Sequence, residues 1–171
     1  MTSPITLARQ ASWDAVNSWA KLKDGNGQSV FVRQDRFEDV AAPARETIES
    51  AYGPGDLPAI AFITDSLNLT WETNQRQTWF LDVTCHVWTP DWNLLLAEKY
   101  TPEIINALYA ATPSGASVSF VKNPTTGTGY DPAAVPSVKF VFAAIGKENK
   151  TKAIRTDITF RLRMLFSPFE Q

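Results

Sequence analysis

The clearest pattern lies near the end of the chain. Val138, Phe140, Phe142 and Ala144 alternate with Lys139, Val141, Ala143 and Ile145. A polar stretch at 146–152 follows. Ile154, Thr156, Ile158, Phe160, Leu162, Met164 and Phe166 then share one parity, and Arg155, Asp157, Thr159, Arg161, Arg163 and Leu165 share the other. Side chains along a strand point alternately to its two faces, so this period of two predicts a long C-terminal β-hairpin with one buried and one largely solvated face. A second alternating pair lies upstream. Leu57–Thr64 is a candidate strand, followed by Leu67, Leu69 and Trp71 against Ser66, Asn68, Thr70 and Glu72. Asn74-Gln75-Arg76-Gln77 supplies a polar turn. The next strand, Thr78–Thr89, puts Trp79, Leu81, Val83, Cys85 and Val87 on one face and Phe80, Asp82, Thr84, His86 and Trp88 on the other. Two such runs with a short turn between them predict an antiparallel pair.

Helical spacing appears twice. Ser3 and Pro4 suit a helix start, and Ile5, Ala8, Ala15, Val16, Trp19 and Ala20 recur at helical spacing, with Ser12 interrupting the stripe. Gly25-Asn26-Gly27 closes that segment, and Ser29–Arg33 reads as a short strand. Thr89-Pro90-Asp91 and Thr101-Pro102-Glu103 each carry a helix-start signal, so either two helices or one kinked helix is expected before Thr112-Pro113-Ser114-Gly115. Its apolar positions are Trp92, Leu95, Leu96, Ile104, Ile105, Leu108 and Ala111. Ala116–Val121 is a further short strand. Two stretches lack clear periodicity. Residues 35–56 are charged and read as a loop with one short helix from Pro43 to Tyr52; residues 123–136 hold three Pro and two Gly and read as a mobile loop. No internal repeat is visible. Helix, strands, helix, strands in hairpin-like pairs predict an α+β fold: a mainly antiparallel sheet with two main helices on one face.

A chain of 171 residues with 44% hydrophobic content fits one domain, 1–171, with 35–56 and 123–136 as loop-rich insertions. No stretch reaches the roughly 18–20 apolar residues of a membrane span. Met1–Leu7 lacks a charged leader before an apolar run, so no signal peptide is expected, and a reducing cytoplasm is the expected compartment. One Cys and one His leave no intrachain disulfide and no Cys/His zinc site. Cys85 and His86 are adjacent in a strand and therefore point apart, which disfavours a nucleophile–base pair. Cys85 shares the apolar parity and is expected buried and inert; His86, on the face of Asp82 and Trp88, is expected to be satisfied or at the surface. Gly127-Thr128-Gly129 lacks a following Lys-Ser/Thr, and Glu38-Asp39 sits in a charged loop, so neither predicts a phosphate loop or an acid/base pair. No catalytic, cofactor or metal residue is expected.

Charge changes the picture more. Residues 139–171 hold seven Lys and Arg against three acids, a net +4; the remainder holds nine against fifteen, a net −6, which together give −2. Lys147, Lys150 and Lys152 crowd the hairpin turn, and Arg155, Arg161 and Arg163 share one strand face. The bland reading is a solvated face with edge-strand Lys opposing aggregation. The functional reading is electrostatic contact with a neighbouring copy or with DNA. The six Trp are core candidates by position, with one or two available as interface anchors.

The order of elements resembles the tail terminator and tail completion proteins of long-tailed bacteriophages. The likeness rests on the N-terminal helix, the run Trp79-Phe80-Leu81-Asp82-Val83-Thr84-Cys85-His86-Val87-Trp88, the helix directly after it with its Ala107-Leu108-Tyr109-Ala110-Ala111 end, and the C-terminal hairpin. It spans residues 3–23 and 57–166, with 35–56 and 123–136 as departures. It implies a non-enzymatic virion part in the tail or neck, assembled in the host cytoplasm. Such a part forms a hexameric ring that caps the tail tube, contacts the tail tube protein and a head-completion or connector protein, and lets the genome pass through, with non-specific DNA contact in the lumen and no membrane. Candidate interface residues are Lys147, Lys150, Lys152, Arg155, Arg161, Arg163 and, in the 123–136 loop, Tyr130. The alternatives are another neck, tail or baseplate component such as a head-closure protein, and a small α+β enzyme or ligand-binding domain.

Overall fold

A computed structural model describes residues 12–35, 45–73, 76–110, 121–122, 129–132 and 136–166. Its elements are α1 (residues 12–18), β1 (Arg33–Asp35), α2 (Arg45–Ala51), β2 (Ala59–Thr73), β3 (Arg76–Pro90), α3 (Leu94–Ala110), β4 (Val121–Lys122), β5 (Gly129–Pro132), β6 (Ser137–Ile145) and β7 (Thr151–Phe166). The fold is α+β, as the alternation predicts. All seven strands belong to one sheet in the order β1-β2-β3-β7-β5-β4, with β6 also paired to β7. Among the described residues only β1–β2 is parallel.

Strand β7 is central. One edge pairs with β3 along its length, and the other pairs first with β6 and then with β5. The two strands expected between Leu57 and Glu72 are one long strand, β2. A register shift between Thr64 and Ser66 explains the broken alternation. Ile60 and Phe62 carry even numbers on the core side, while Leu67 falls opposite Leu81 after the shift. An extra residue reverses the parity, and the apolar positions reverse with it.

The core-side face is built from Ile60 and Phe62 of β2, Leu81, Val83, Cys85 and Val87 of β3, and Ile158, Phe160 and Leu162 of β7. Both α1 and α3 cover this face, so two main helices lie on one side as expected. Trp13 and Val16 of α1 enter the core; the start at Ser3 and Pro4 lies outside the described residues. Helix α3 is single, with Pro102 inside it. It begins later than Thr89-Pro90-Asp91 suggested. β3 runs through Pro90, and the Asn93 side chain accepts the Leu95 N–H at 3.0 Å, which caps the first turn. The later start shifts the buried stripe to Ala97, Tyr100, Thr101, Ile104, Ala107 and Leu108, leaving Trp92 and Leu95 exposed. The Trp19 indole donates to Glu103 at 2.8 Å and ties the end of α1 to α3.

The opposite face is covered too, by α2. Ala59, Ala61 and Ala153 are small enough to let Tyr52, Ile48 and Leu57 approach the sheet around the fully buried Trp88. Residues 35–56, read as loop-rich, therefore contribute a second layer. Residues 129–132, read as part of a mobile loop, form β5 on the edge of β7. The strand expected at Ser29–Arg33 is displaced to Arg33–Asp35, and most of Ala116–Val121 lies outside the described residues.

Gly146 locks the hairpin turn to α2. Its N–H donates to the Glu49 carbonyl at 2.8 Å, satisfying an end-of-helix acceptor. Its φ is +81°, and a Cβ there would sit 2.6 Å from the Tyr52 carbonyl oxygen. Gly146→Ala is expected to destabilise the protein by about 1–3 kcal/mol, from left-handed strain and the clash. Urea unfolding should show a lower midpoint with an unchanged slope.

Candidate functional site

The second face of the β3–β7 pair carries a ladder of polar cross-strand partners. The register sets Asp82 opposite Arg161, Thr84 opposite Thr159, His86 opposite Asp157 and Trp88 opposite Arg155. Directly opposed side chains lie within reach of one another, and each rung is closed except the last. Arg161 grips Asp82 with two bonds of 2.6 and 3.0 Å, and its guanidinium lies 5.8 Å from the centre of the Phe80 ring. The Thr84 and Thr159 hydroxyls are 3.2 Å apart. His86 Nδ1 lies 2.6 Å from Asp157 Oδ1.

Arg155 and Trp88 are joined through Glu49 instead of to each other. Arg155 donates to Glu49 at 2.9 Å and to both oxygens of Asp157 at 2.8 and 3.1 Å. The Trp88 indole donates to the same Glu49 oxygen at 3.1 Å. A network of His86, Asp157, Arg155, Glu49 and Trp88 thus crosses from β3 through β7 to α2. Arg155 is only 8% exposed.

The electrostatics follow from this burial. Burial alone would push the Asp157 carboxyl up, but the hydrogen bonds and charges of His86 and Arg155 outweigh it and hold Asp157 below the ordinary carboxylate range. Asp157 is therefore an ionised acceptor, and His86 Nδ1 carries the donated proton. For Arg155, burial opposes the charged form, and its bonds to Asp157 and Glu49, with their negative charges, override it and raise its pKa. Cys85 lies on the other face, fully buried, where burial first and the charge of Asp157 second push its thiol far up. Cys85 and His86 point apart, as strand parity requires, and His86 is buried and satisfied, not at the surface.

The expected interface residues divide in four. Arg155 is withdrawn from the surface, because α2 supplies Glu49 to cover and pair it; this corrects its reading as an interface cation. Arg161 is half-exposed but held by Asp82. The side chains of Arg163 and Tyr130 lie outside the described residues; in register they face Phe80 and Met164. Lys147, Lys150 and Lys152 are exposed at the turn. Lys150 pairs with Glu148, and Lys152 sits 4.8 Å from the centre of the Trp92 ring. Two of the positive charges counted in the hairpin are thus consumed within the chain by Glu49 and Asp82. Sequence reasoning missed Glu49 altogether, since no local signal connects a short helix in a charged segment to a strand 106 positions away.

No protein-family model matches the chain, and a search of curated proteins finds no match. Among the described residues, no helix is long and apolar enough to cross a membrane.

Arg155→Met is expected to cost about 3–5 kcal/mol, because it leaves the Glu49 and Asp157 carboxylates buried without their cation. Arg161→Met, at a solvent-exposed pair, should leave the unfolding midpoint nearly unchanged. A pH series tests the same network. A carboxyl held low in the folded state contributes stability that is complete above its ordinary range and lost as pH falls through the folded value. The unfolded state binds the extra proton in that window, so stability should drop below about pH 4. Asp157→Asn should flatten the drop while lowering stability at neutral pH, as read by thermal melts across pH.

Proposed function

We propose that this chain is a structural virion protein, a tail terminator that forms a ring on the tail tube and presents the head-joining surface. The observation that supports it is the order of the elements in space. The α1 helix, the long β2–β3 hairpin leading directly into α3, and the β6–β7 hairpin stand in the sequence the resemblance requires, and α1 and α3 share one face. This support is an analogy of fold, since fold alone does not dictate function. The site chemistry is compatible. The polar network on the second face is closed on itself and braces α2 against the sheet, which suits a rigid assembly part. Assembly contacts then fall to the exposed turn lysines and to the sheet edges. The partners in this reading are further copies in a hexamer, the tail tube protein and a head-completion or connector protein, with non-specific DNA contact in the lumen. No catalytic, cofactor or metal role is assigned to any residue. The second reading, another neck, tail or baseplate component, shares the same support and differs in position on the virion.

Electron microscopy of the purified protein with tail tubes distinguishes the readings. Six-fold rings on tube ends are the expected result. Labelling elsewhere on the virion would favour the second reading, and a persistent monomer holding a small ligand would favour an enzyme or ligand-binding domain. Replacing Lys147, Lys150 and Lys152 together by Glu should reduce the fraction of capped tubes without changing the melting temperature.

A further inference from the structure

Among the described residues β6 pairs only with β7, and no other described strand lies beside its outer row of backbone N–H and C=O groups over Ser137–Ile145. Val138, Phe140 and Phe142 lie on the core-side face of the sheet, opposite Ile158, Thr156 and Ile154. Their neighbours on β7, Ile154, Thr156 and Ile158, are buried, while this row is not. Phe140 is 40% exposed and Phe142 58% exposed. The sequence pattern led to the expectation of a buried row here, and the structure leaves it open.

Trp92 continues this row. Its indole donates to the Ala143 carbonyl at 3.1 Å, its ring meets Phe142 edge-on at 6.2 Å between centroids, and Lys152 lies over its face, yet it remains 49% exposed. A large aromatic already fixed on three sides loses little further freedom on being covered, which is the property of an interface anchor. A long apolar edge strand is a template for another chain unless it is blocked. Lys139 is the one charged side chain along β6.

We infer that the β6 edge, with Phe140, Phe142 and Trp92, is the surface on which a second copy of this chain docks head-to-tail. Two observations favour a second copy over an unrelated partner. The first is charge: the turn beside the row exposes Lys147 and Lys152, with Lys150 paired to Glu148, while residues 1–138 stay net acidic even after Glu49 and Asp82 are matched to Arg155 and Arg161, so a neighbouring copy offers the complementary sign. The second is the position of the other end of the sheet. Strand β1 ends the sheet path on the β2 side, away from β6, and is likewise paired on one side only among the described residues. A molecule with two such unlike edges can meet itself through two different surfaces, the arrangement that generates rings or filaments. The inference extends the ring reading by giving it a subunit contact.

Hydroxyl-radical footprinting of the full chain, with sedimentation velocity on the same samples, tests it. Phe140, Phe142 and Trp92 should be modified readily in dilute monomer and become protected as concentration raises the mass. The double variant Phe140→Glu, Phe142→Glu should weaken self-association by about tenfold or more at an unchanged melting temperature. Protection already complete in the monomer would mean that the chain's own residues cover the row, and would overturn the inference. Modification that stays high while the mass rises, or equal association of the variant, would place the contact elsewhere and leave the ring reading intact. A wild-type chain that stays monomeric and fully modified at every concentration would also overturn it; tube-end images decide the ring reading separately.

Discussion

A guanidinium removed from water must be paired on nearly every donor, and Arg155 sets that condition for the whole second face. Its fork takes both oxygens of Asp157 and one of Glu49. Asp157 in turn fixes His86, and Glu49 receives the Trp88 indole. The position of α2 follows, because only a helix laid across β3 and β7 at this height can bring Glu49 to Arg155. The three alanines beneath it make that approach sterically possible, and Gly146 ties its last turn to the β6–β7 connection.

The two faces of the sheet thus cohere by different physics. On the core side, close-packed aliphatic and aromatic side chains from α1 and α3 meet three strands, and non-directional burial supplies the stabilisation. On the other side, much of the interface is directional and charged. Such a network gives less net stability than its short distances suggest, since desolvation offsets most of the attraction. Its consequence is positional: it fixes one arrangement of α2 and one strand register, because a slip of one residue would take Arg155 away from the partners that its burial requires.

That division bears on function. One charge that looked available for an external partner, that of Arg155, is spent holding the molecule together, and apolar residues that looked internal are displayed. Lys147, Lys150 and Lys152 at the turn and the aromatic row on β6 are among the groups left facing outward. A rigid body with an open, partly aromatic edge and a basic corner is suited to repeated contact with other proteins, and the proposed ring role places those contacts between subunits.

The alternation of apolar and polar residues by itself determined the α+β class, the β6–β7 hairpin, the parity that separates Cys85 from His86 and the two main helices on one face. These are local properties: the period of a segment is written in adjacent residues. The start of α3, the continuity of β2 through its register shift and the strand at 129–132 depended on competition between local signals and on pairing partners far along the chain. Only the tertiary structure decided which arginine is buried and which aromatics are exposed. Arg155 and Arg161 read alike in sequence, and so do Phe140 and Phe160. Their fates differ because α2 reaches one arginine and not the other, and because Phe160 lies in the core under α1 and α3 while Phe140 lies on β6, an outer strand among the described residues.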